Sequence, residues 1–289
     1  VDELAARLDH LQIQSAAPER LAAFYGEALG MRTALLGPEL WLCAGPSRRI
    51  LIGRGEPRTL GFTAFRFDDR AGVPAMRARL QRRGAMPQTS PSPLFRGDAL
   101  AVRDPDGNAV VFGHDAGSDL PAAGSHPVPH PLGGRLQHIA LGTDHPETLL
   151  SFYTDLVGCA LTDKAVDDHG LAACWFRTDT EHHTIAVFRA GDTAGRNTGS
   201  RFDHHAYEVG EWSLIRDWAD HFSARGIPLV WGPGRHGPGN NLFIMIRDPD
   251  GNMLEFSAEL EVIRTGRPVG VWPAAAGTFN KWGSAAVRS

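Results

Sequence analysis

The sequence predicts an α+β fold of two tandem modules built from repeated βαβββ units, and three observations carry that prediction. His10 to Gly30 (HLQIQSAAPERLAAFYGEALG) matches His138 to Gly158 (HIALGTDHPETLLSFYTDLVG) at an offset of 128, pairing His10 with His138, Phe24-Tyr25 with Phe152-Tyr153 and Gly30 with Gly158. Asp104-Pro105-Asp106-Gly107-Asn108 recurs as Asp248-Pro249-Asp250-Gly251-Asn252 at an offset of 144, so the second copy carries a net insertion of about 16 residues (144 minus 128) in its middle. Two blocks repeated in the same order at long range signal a duplicated architecture. Between the copies, residues 114–135 are rich in Gly, Pro, Ala and Ser without a hydrophobic period, the composition of a linker. The expected division is therefore an N-terminal module over 1–113, the linker, a C-terminal module over 136–263 and a tail over 264–289.

The elements follow in the same order in both copies. A short strand (Leu8 to Ile13; Leu136 to Gly142) leads to a helix whose first turn holds Pro18-Glu19 or Pro146-Glu147, residues suited to that position. Leu149, Leu150, Phe152, Tyr153, Leu156 and Val157 then form a helical stripe. Strands are expected over Ala173 to Phe176, His183 to Phe188 and Phe202 to Val209. A second helix from Trp212 to Arg225 stops at Gly226. The module closes with a hairpin, Asn241 to Ile246 and Asn252 to Phe256, around the Asp-Pro-Asp-Gly turn.

Composition narrows the function classes. Of 289 residues, 42% are hydrophobic, enough for two ordinary cores. A net charge of −4 supplies no basic face for nucleic acid, and no apolar run approaches a membrane span. The acidic start VDELAARLDH lacks the basic-then-apolar order of a signal peptide. Cys43, Cys159 and Cys174 are odd in number and widely spaced, which indicates neither a disulfide framework nor a thiolate zinc site. A reducing cytoplasm is the expected compartment.

The chemistry lies in an asymmetry between the copies. The second holds His138, His204 and Glu255; the first has Phe62 and Val111 at two of the three matching places. Two imidazoles and a carboxylate on one face of Fe(II) leave the opposite positions open for substrate and dioxygen. Strand alternation puts His204 on the face of Phe202 and Ala206, with His205 on the other; Glu255 shares a face with Met253, and Met245 with Phe243. A glutamate among apolar strand neighbours is costly unless paired or metal-bound. By position alone, His205 competes with His204 for the ligand role. His10 reads as structural, and His145, His169 and His221 as surface residues.

Gly234 to Phe256 (GRHGPGNNLFIMIRDPDGNMLEF) resembles the signature of the type I extradiol ring-cleavage dioxygenases, of the catechol 2,3- and 2,3-dihydroxybiphenyl type, within the vicinal oxygen chelate superfamily. The likeness runs from His10 to about Ile263 and is strongest in the second module. It implies a curved sheet around a cavity in each module, catalysis confined to the second, and Fe(II), more rarely Mn(II), held by His138, His204 and Glu255. It aligns His204 rather than His205 with the ligand. His183 in EHHTIAVF falls at the acid/base histidine, with His182 one position away, His236 at a second histidine that contacts substrate, and Trp175 at a pocket aromatic. The family's substrate-binding tyrosine is replaced here by Met245, which removes one hydrogen bond to substrate.

The implied reaction is cleavage of a catechol-type aromatic diol with O2 to a hydroxymuconic-semialdehyde-type product, in a homo-oligomer, with no nucleic-acid or membrane partner. A histidine suits the proton transfers because its pKa lies near working pH. Leu229, Trp231 and Phe243 suggest an apolar substituent on the substrate. A metal-dependent lyase or isomerase of the glyoxalase kind, and a binding protein of the bleomycin-resistance kind, are the other readings. Trp272, Phe279 and Trp282 in the tail are costly to expose, so the tail is expected to pack back on the second module or a neighbouring subunit and to help close the pocket.

Overall fold

A computed structural model describes residues 4–117, 134–191 and 202–283. Most of the expected linker, residues 118–133, lies outside the described residues. The chain folds as four βαβββ units. The first is β1 (Arg7–Ser15), α1 (Pro18–Leu29), β2 (Arg32–Gly37), β3 (Leu40–Gly45) and β4 (Arg48–Arg54); the second is β5 (Leu60–Arg66), α2 (Gly72–Arg82), β6 (Gln88–Thr89), β7 (Leu100–Arg103) and β8 (Ala109–Gly113). The third is β9 (Leu136–Thr143), α3 (Pro146–Ser151), β10 (Ala160–Asp167), β11 (Gly170–Arg177) and β12 (Ile185–Arg189). The fourth is β13 (Phe202–Glu208), α4 (Trp212–Ser223), β14 (Trp231–Arg235), β15 (Leu242–Arg247) and β16 (Met253–Ala258). The chain then adds β17 (Gly270–Pro273) and the single turn α5 (Ala276–Phe279).

Two units make each curved sheet by pairing their first strands antiparallel, β1 with β5 and β9 with β13. The sheet orders are β2-β3-β4-β1-β5-β8-β7-β6 and β14-β15-β16-β13-β9-β12-β11-β10-β17. One continuous apolar core, including Leu11, Tyr25, Phe112, Tyr153, Trp218 and Phe256, joins the helix-bearing faces of both sheets. The opposite faces carry separate clusters: Phe62, Leu94, Phe95 and Val111 in the first module, and Ala140, Trp175, Ala186 and Phe188 in the second.

The repeated motifs lock into each other across the modules. Tyr25 Oη on α1 donates to Asp248 Oδ2 of the second module's turn at 3.3 Å, and Tyr153 Oη donates to Asp104 Oδ2 of the first module's turn at 3.3 Å. Each aspartate also accepts its own Asn side chain and two backbone N–H groups, holding the turn rigid. The helix ends are exchanged in the same way: Arg79 of α2 donates to the carbonyls of Asp155 and Leu156, and His221 of α4 lies 2.9 Å from the carbonyl of Ala28. Losing a buried hydrogen bond to a charged group costs about 1.5–3 kcal/mol. Tyr25→Phe and Tyr153→Phe should each lower stability by that amount in urea denaturation, and an unchanged midpoint in both would show that these ties carry nothing.

Several local expectations are corrected. The third unit's helix is α-helical only to Ser151; Phe152–Val157 forms a π-turn, ended by Gly158 in the left-handed region (φ 95°). His221 is half-buried, not a surface residue, because it caps α1 and packs edge-on against Trp218. Asp203 forms a β-bulge in β13, so Phe202 turns to the face of His205, on which it stacks, and away from His204.

The insertion is also distributed rather than placed at one point. The module offset is 128 at Ile139 against Leu11, 135 at Ile185 against Ile50, 142 at His204 against Phe62 and 144 at Glu255 against Val111, each by subtraction at matching register positions. The two-residue β3–β4 turn, Pro46-Ser47, becomes the seven-residue β11–β12 loop, 178–184, that carries His182 and His183. His183 therefore precedes β12 instead of standing on it.

Candidate metal centre and acid–base site

Register brings the triad together. Ala206 faces His138 across β13–β9 and Glu255 across β13–β16, while His204 lies two residues back on the same face. His138 Nε2 stands 3.4 Å and His204 Nε2 3.2 Å from Glu255 Oε2, and the two nitrogens are 3.4 Å apart. Neighbouring ligands on one face of an octahedral ion with bonds of about 2.1 Å are separated by about 3 Å. All three residues are buried and form the candidate metal-holding group found among the described residues. The donor set therefore fits a divalent transition metal.

Their surroundings fix the donors. Asp203, turned toward the site by the bulge, holds His204 Nδ1 at 2.5 Å, the outer partner that a ligating imidazole needs. Asn241 Nδ2 donates to Glu255 Oε1 at 3.0 Å and to Ser257 Oγ. His138 Nδ1 is buried without a hydrogen-bond partner. Burial lowers the pKa of His138. His204 goes the other way, up to about 9, because Asp203 and Glu255 outweigh burial. The three histidines around Glu255 hold its carboxyl well below the ordinary range despite burial. His205 lies on the opposite face, stacked on Phe202 and 3.4 Å from Tyr25 Oη, and burial drives its pKa down to about 3.

Beside the triad lies a cavity of about 20 Å³, lined by His138, Trp175, His183, Ala186, Phe188, His204, His236, Pro238, Glu255, Thr278 and Phe279. That volume holds about one water. The His183 ring is 4.4 Å from that of His138, and burial, with His138 and His182 adding, holds its pKa well below the usual histidine value. His236 donates Nδ1–H to the Phe279 carbonyl, which leaves Nε2 3.7 Å from Glu255 Oε1, and its ring stacks on Phe243 at 3.9 Å and 3°. Phe243 thus backs His236 instead of lining the cavity, with Trp231 beside it. Met245 is fully buried directly across the β15–β16 pair from Glu255. Among the described residues, no lysine or arginine lines the cavity.

The tail closes this space, as expected from Trp272 and Phe279, whereas Trp282 stays half exposed, edge-on against Trp212. β17 pairs parallel with β10, Thr278 O accepts from Gly237 N, and Phe279 packs on Trp175 and Phe188. Asp203, Asn241, Phe188, Pro238 and Thr278 escaped the sequence reading. Only Asp203, next to the His204-His205 pair, and Asn241, in the Gly-Asn-Asn stretch, carried any local signal.

The same cavity is closed off in the first module. Gln12 faces Phe62 as Ala140 faces His204, and Ala64 faces Val111 as Ala206 faces Glu255. His10 is spent on Asp9 and Ser92, each at 2.6 Å, and wedged between Phe62 and Phe95.

Comparison with known proteins agrees with this architecture. The family model described as Glyoxalase/Bleomycin resistance protein/Dioxygenase superfamily matches residues 7–112 and 135–256. Metapyrocatechase 2 of Cupriavidus necator is 29% identical over 153 residues, 52% of this chain and 44% of that protein. Matched stretches span between 36% and 63% of the length of the curated relatives. Among solved structures, homoprotocatechuate 2,3-dioxygenase from Arthrobacter globiformis superposes with a TM-score of 0.79 at 20% identity, covering 99% of this chain and 89% of that one. The Mn(II)-bound glyoxalase from Novosphingobium aromaticivorans gives the same TM-score at 21% identity, covering 98% and 92%. These two likenesses establish the fold; the chemistry must come from the site.

Proposed function

The chain belongs to the glyoxalase/bleomycin resistance protein/dioxygenase superfamily, and within it we propose that it is an extradiol dioxygenase that cleaves a catechol-type ring with O2. The observation that carries this reading is the facial triangle of His138, His204 and Glu255, with His183 and His236 on the same cavity. The sequence relatives with ring-cleavage names point the same way. A glyoxalase reading gains nothing from the first module, where Phe62 and Val111 replace ligands within a packed apolar cluster.

His138, His204 and Glu255 would hold Fe(II), or Mn(II), with a net charge near +1. Fe(II), when bound, supplies open positions for the diol and dioxygen and an electron path between them. The side chains do the rest. His183, kept neutral by burial, takes a substrate hydroxyl proton and returns it as the ring opens. His236, oriented by Phe279 and Phe243, presents Nε2 from the opposite flank. Trp175, Phe188 and Phe279 exclude water and select an uncharged aromatic diol. Met245, which does not line the cavity, offers the diol no hydroxyl to bond. The product is a hydroxymuconic-semialdehyde-type acid containing both oxygen atoms.

The test is anaerobic loading with Fe(II), then oxygen with monocyclic and bicyclic catechols, following oxygen uptake and yellow product. Uptake matched to product supports ring cleavage. Iron binding without uptake on any diol would overturn it. A cavity of about 20 Å³ is too small for a catechol, so the lining opens for substrate, and Phe279, carried by the tail, is the side chain we expect to move. Phe279→Ala should raise kcat/KM for bicyclic over monocyclic diols by about tenfold, the scale of one pocket side chain. An unchanged ratio would show that Phe279 does not limit entry.

A further inference from the structure

We propose that Asp163 and His182 form a positioning pair that sets the tautomer and orientation of His183, and that the C-terminal segment holds this pair in place. This rests on reading His183 as the acid–base residue.

Both histidines stand on the β11–β12 loop, which the first module replaces by the two residues Pro46-Ser47. His182 is fully buried. Its Nδ1 lies 2.9 Å from His183 Nδ1, and its Nε2 lies 3.1 Å from Asp163 Oδ2, an ion-pair distance. His182 Nε2 makes no hydrogen bond of good angle, and the Asp163 carboxylate is the acceptor within ion-pair reach of it.

The proton count then follows. A neutral imidazole carries one N–H. With that hydrogen on Nε2 toward Asp163, His182 Nδ1 is a lone pair. Two facing Nδ1 atoms 2.9 Å apart need one donor, so His183 must supply Nδ1–H. Its Nε2 is then the lone pair left for the cavity, the form that can accept a hydroxyl proton. Arg267, whose Nη2 also reaches Glu261, places Nη1 2.9 Å from Asp163 Oδ1 and gives this carboxylate a cationic partner besides His182.

The remaining donors to Asp163 come from the tail. Gly270 N reaches Oδ1 at 3.1 Å and Trp272 Nε1 reaches Oδ2 at 2.7 Å. A Cβ at residue 270 would sit 2.3 Å from Oδ1, so only glycine allows this approach. Gly239 covers the other side: its Cβ would stand 3.2 Å from His182 Nδ1. The segment that shuts the cavity is thus the segment that fixes the carboxylate behind His182.

The test reads the tautomer directly. Full-length protein labelled with ¹⁵N-histidine is examined by two-bond ¹H–¹⁵N NMR, with and without diamagnetic zinc, and His183 is assigned by its loss in His183→Gln. The expected result is one His183 tautomer protonated on Nδ1. It should be lost in His182→Phe and retained in His182→Asn, whose Oδ1 takes the place of the Nδ1 acceptor. A His183 protonated on Nε2 in the wild type, or an unchanged signal in His182→Phe, overturns the proposal. The wild-type spectrum decides even where a variant fails to fold. In the Fe(II)-loaded enzyme, His182→Phe should lower kcat by about tenfold or more with KM within about threefold, and His182→Asn should recover most of it. A wild type inactive on every catechol would remove the dioxygenase reading while leaving the spectrum to judge the pair.

Discussion

Glu255→Ala should abolish metal binding and, with it, the proposed ring cleavage. Glu255 is the only anion among the three ligands, and its loss would leave a buried divalent cation facing two neutral imidazoles. Metal affinity should fall by about 100-fold or more, since even outer partners of a ligand are worth 10–100-fold. The same site predicts how metal binding depends on pH. In the metal-free protein His204 has its pKa raised to about 9 from 6.5. A proton held more tightly in the folded state stabilises it fully below about pH 6.5, and this contribution, about 3 kcal/mol, is lost as pH rises toward 9. A metal must displace that proton. Apparent Mn(II) affinity should therefore rise about tenfold per pH unit between 6.5 and 8.5, with about one proton released, measurable by titration calorimetry in buffers of different ionisation enthalpy. A flat profile would show that His204 is not the ligand that gives up a proton.

Val111→Glu is the converse experiment, placing in the first module the carboxylate that the second module carries. Val111 is fully buried against Phe62, Leu94 and Phe95, and the nearby His10 is already committed to Asp9 and Ser92. An unpaired carboxylate there should cost about 3–5 kcal/mol, lowering Tm by roughly 6–20 °C at about 2–4 °C per kcal/mol. Adding Phe62→His should recover part of the loss, and more with zinc present. A Val111→Glu protein as stable as the wild type would mean that this cavity is open to water.

The triad was legible because the repeat makes register readable from sequence. Offsets of 128 and 144 pair His138 with His10 and Glu255 with Val111, and alternation separates His204 from His205. What escaped depends on three-dimensional detail without a sequence period. The bulge at Asp203 turns Phe202 away from His204 while supplying the bond to His204 Nδ1. Asp163 sits in an ordinary strand and gains its role only when residues 267 to 272 return to it. Phe243 and Trp231 have the composition of a substrate wall, yet they stand one layer behind His236. The two repeated motifs were visible as blocks, but nothing in either block says that each is fastened to the other copy.

That exchange has a consequence for the half without ligands. Tyr25 secures the turn that follows β15, just ahead of the strand bearing Glu255, while Tyr153 secures the corresponding turn in the other half. Deleting the half without ligands would strip an essential brace from the half with them. The copy without ligands acts as a splint: its interior is filled with side chains, and its Tyr25 still braces the turn ahead of Glu255.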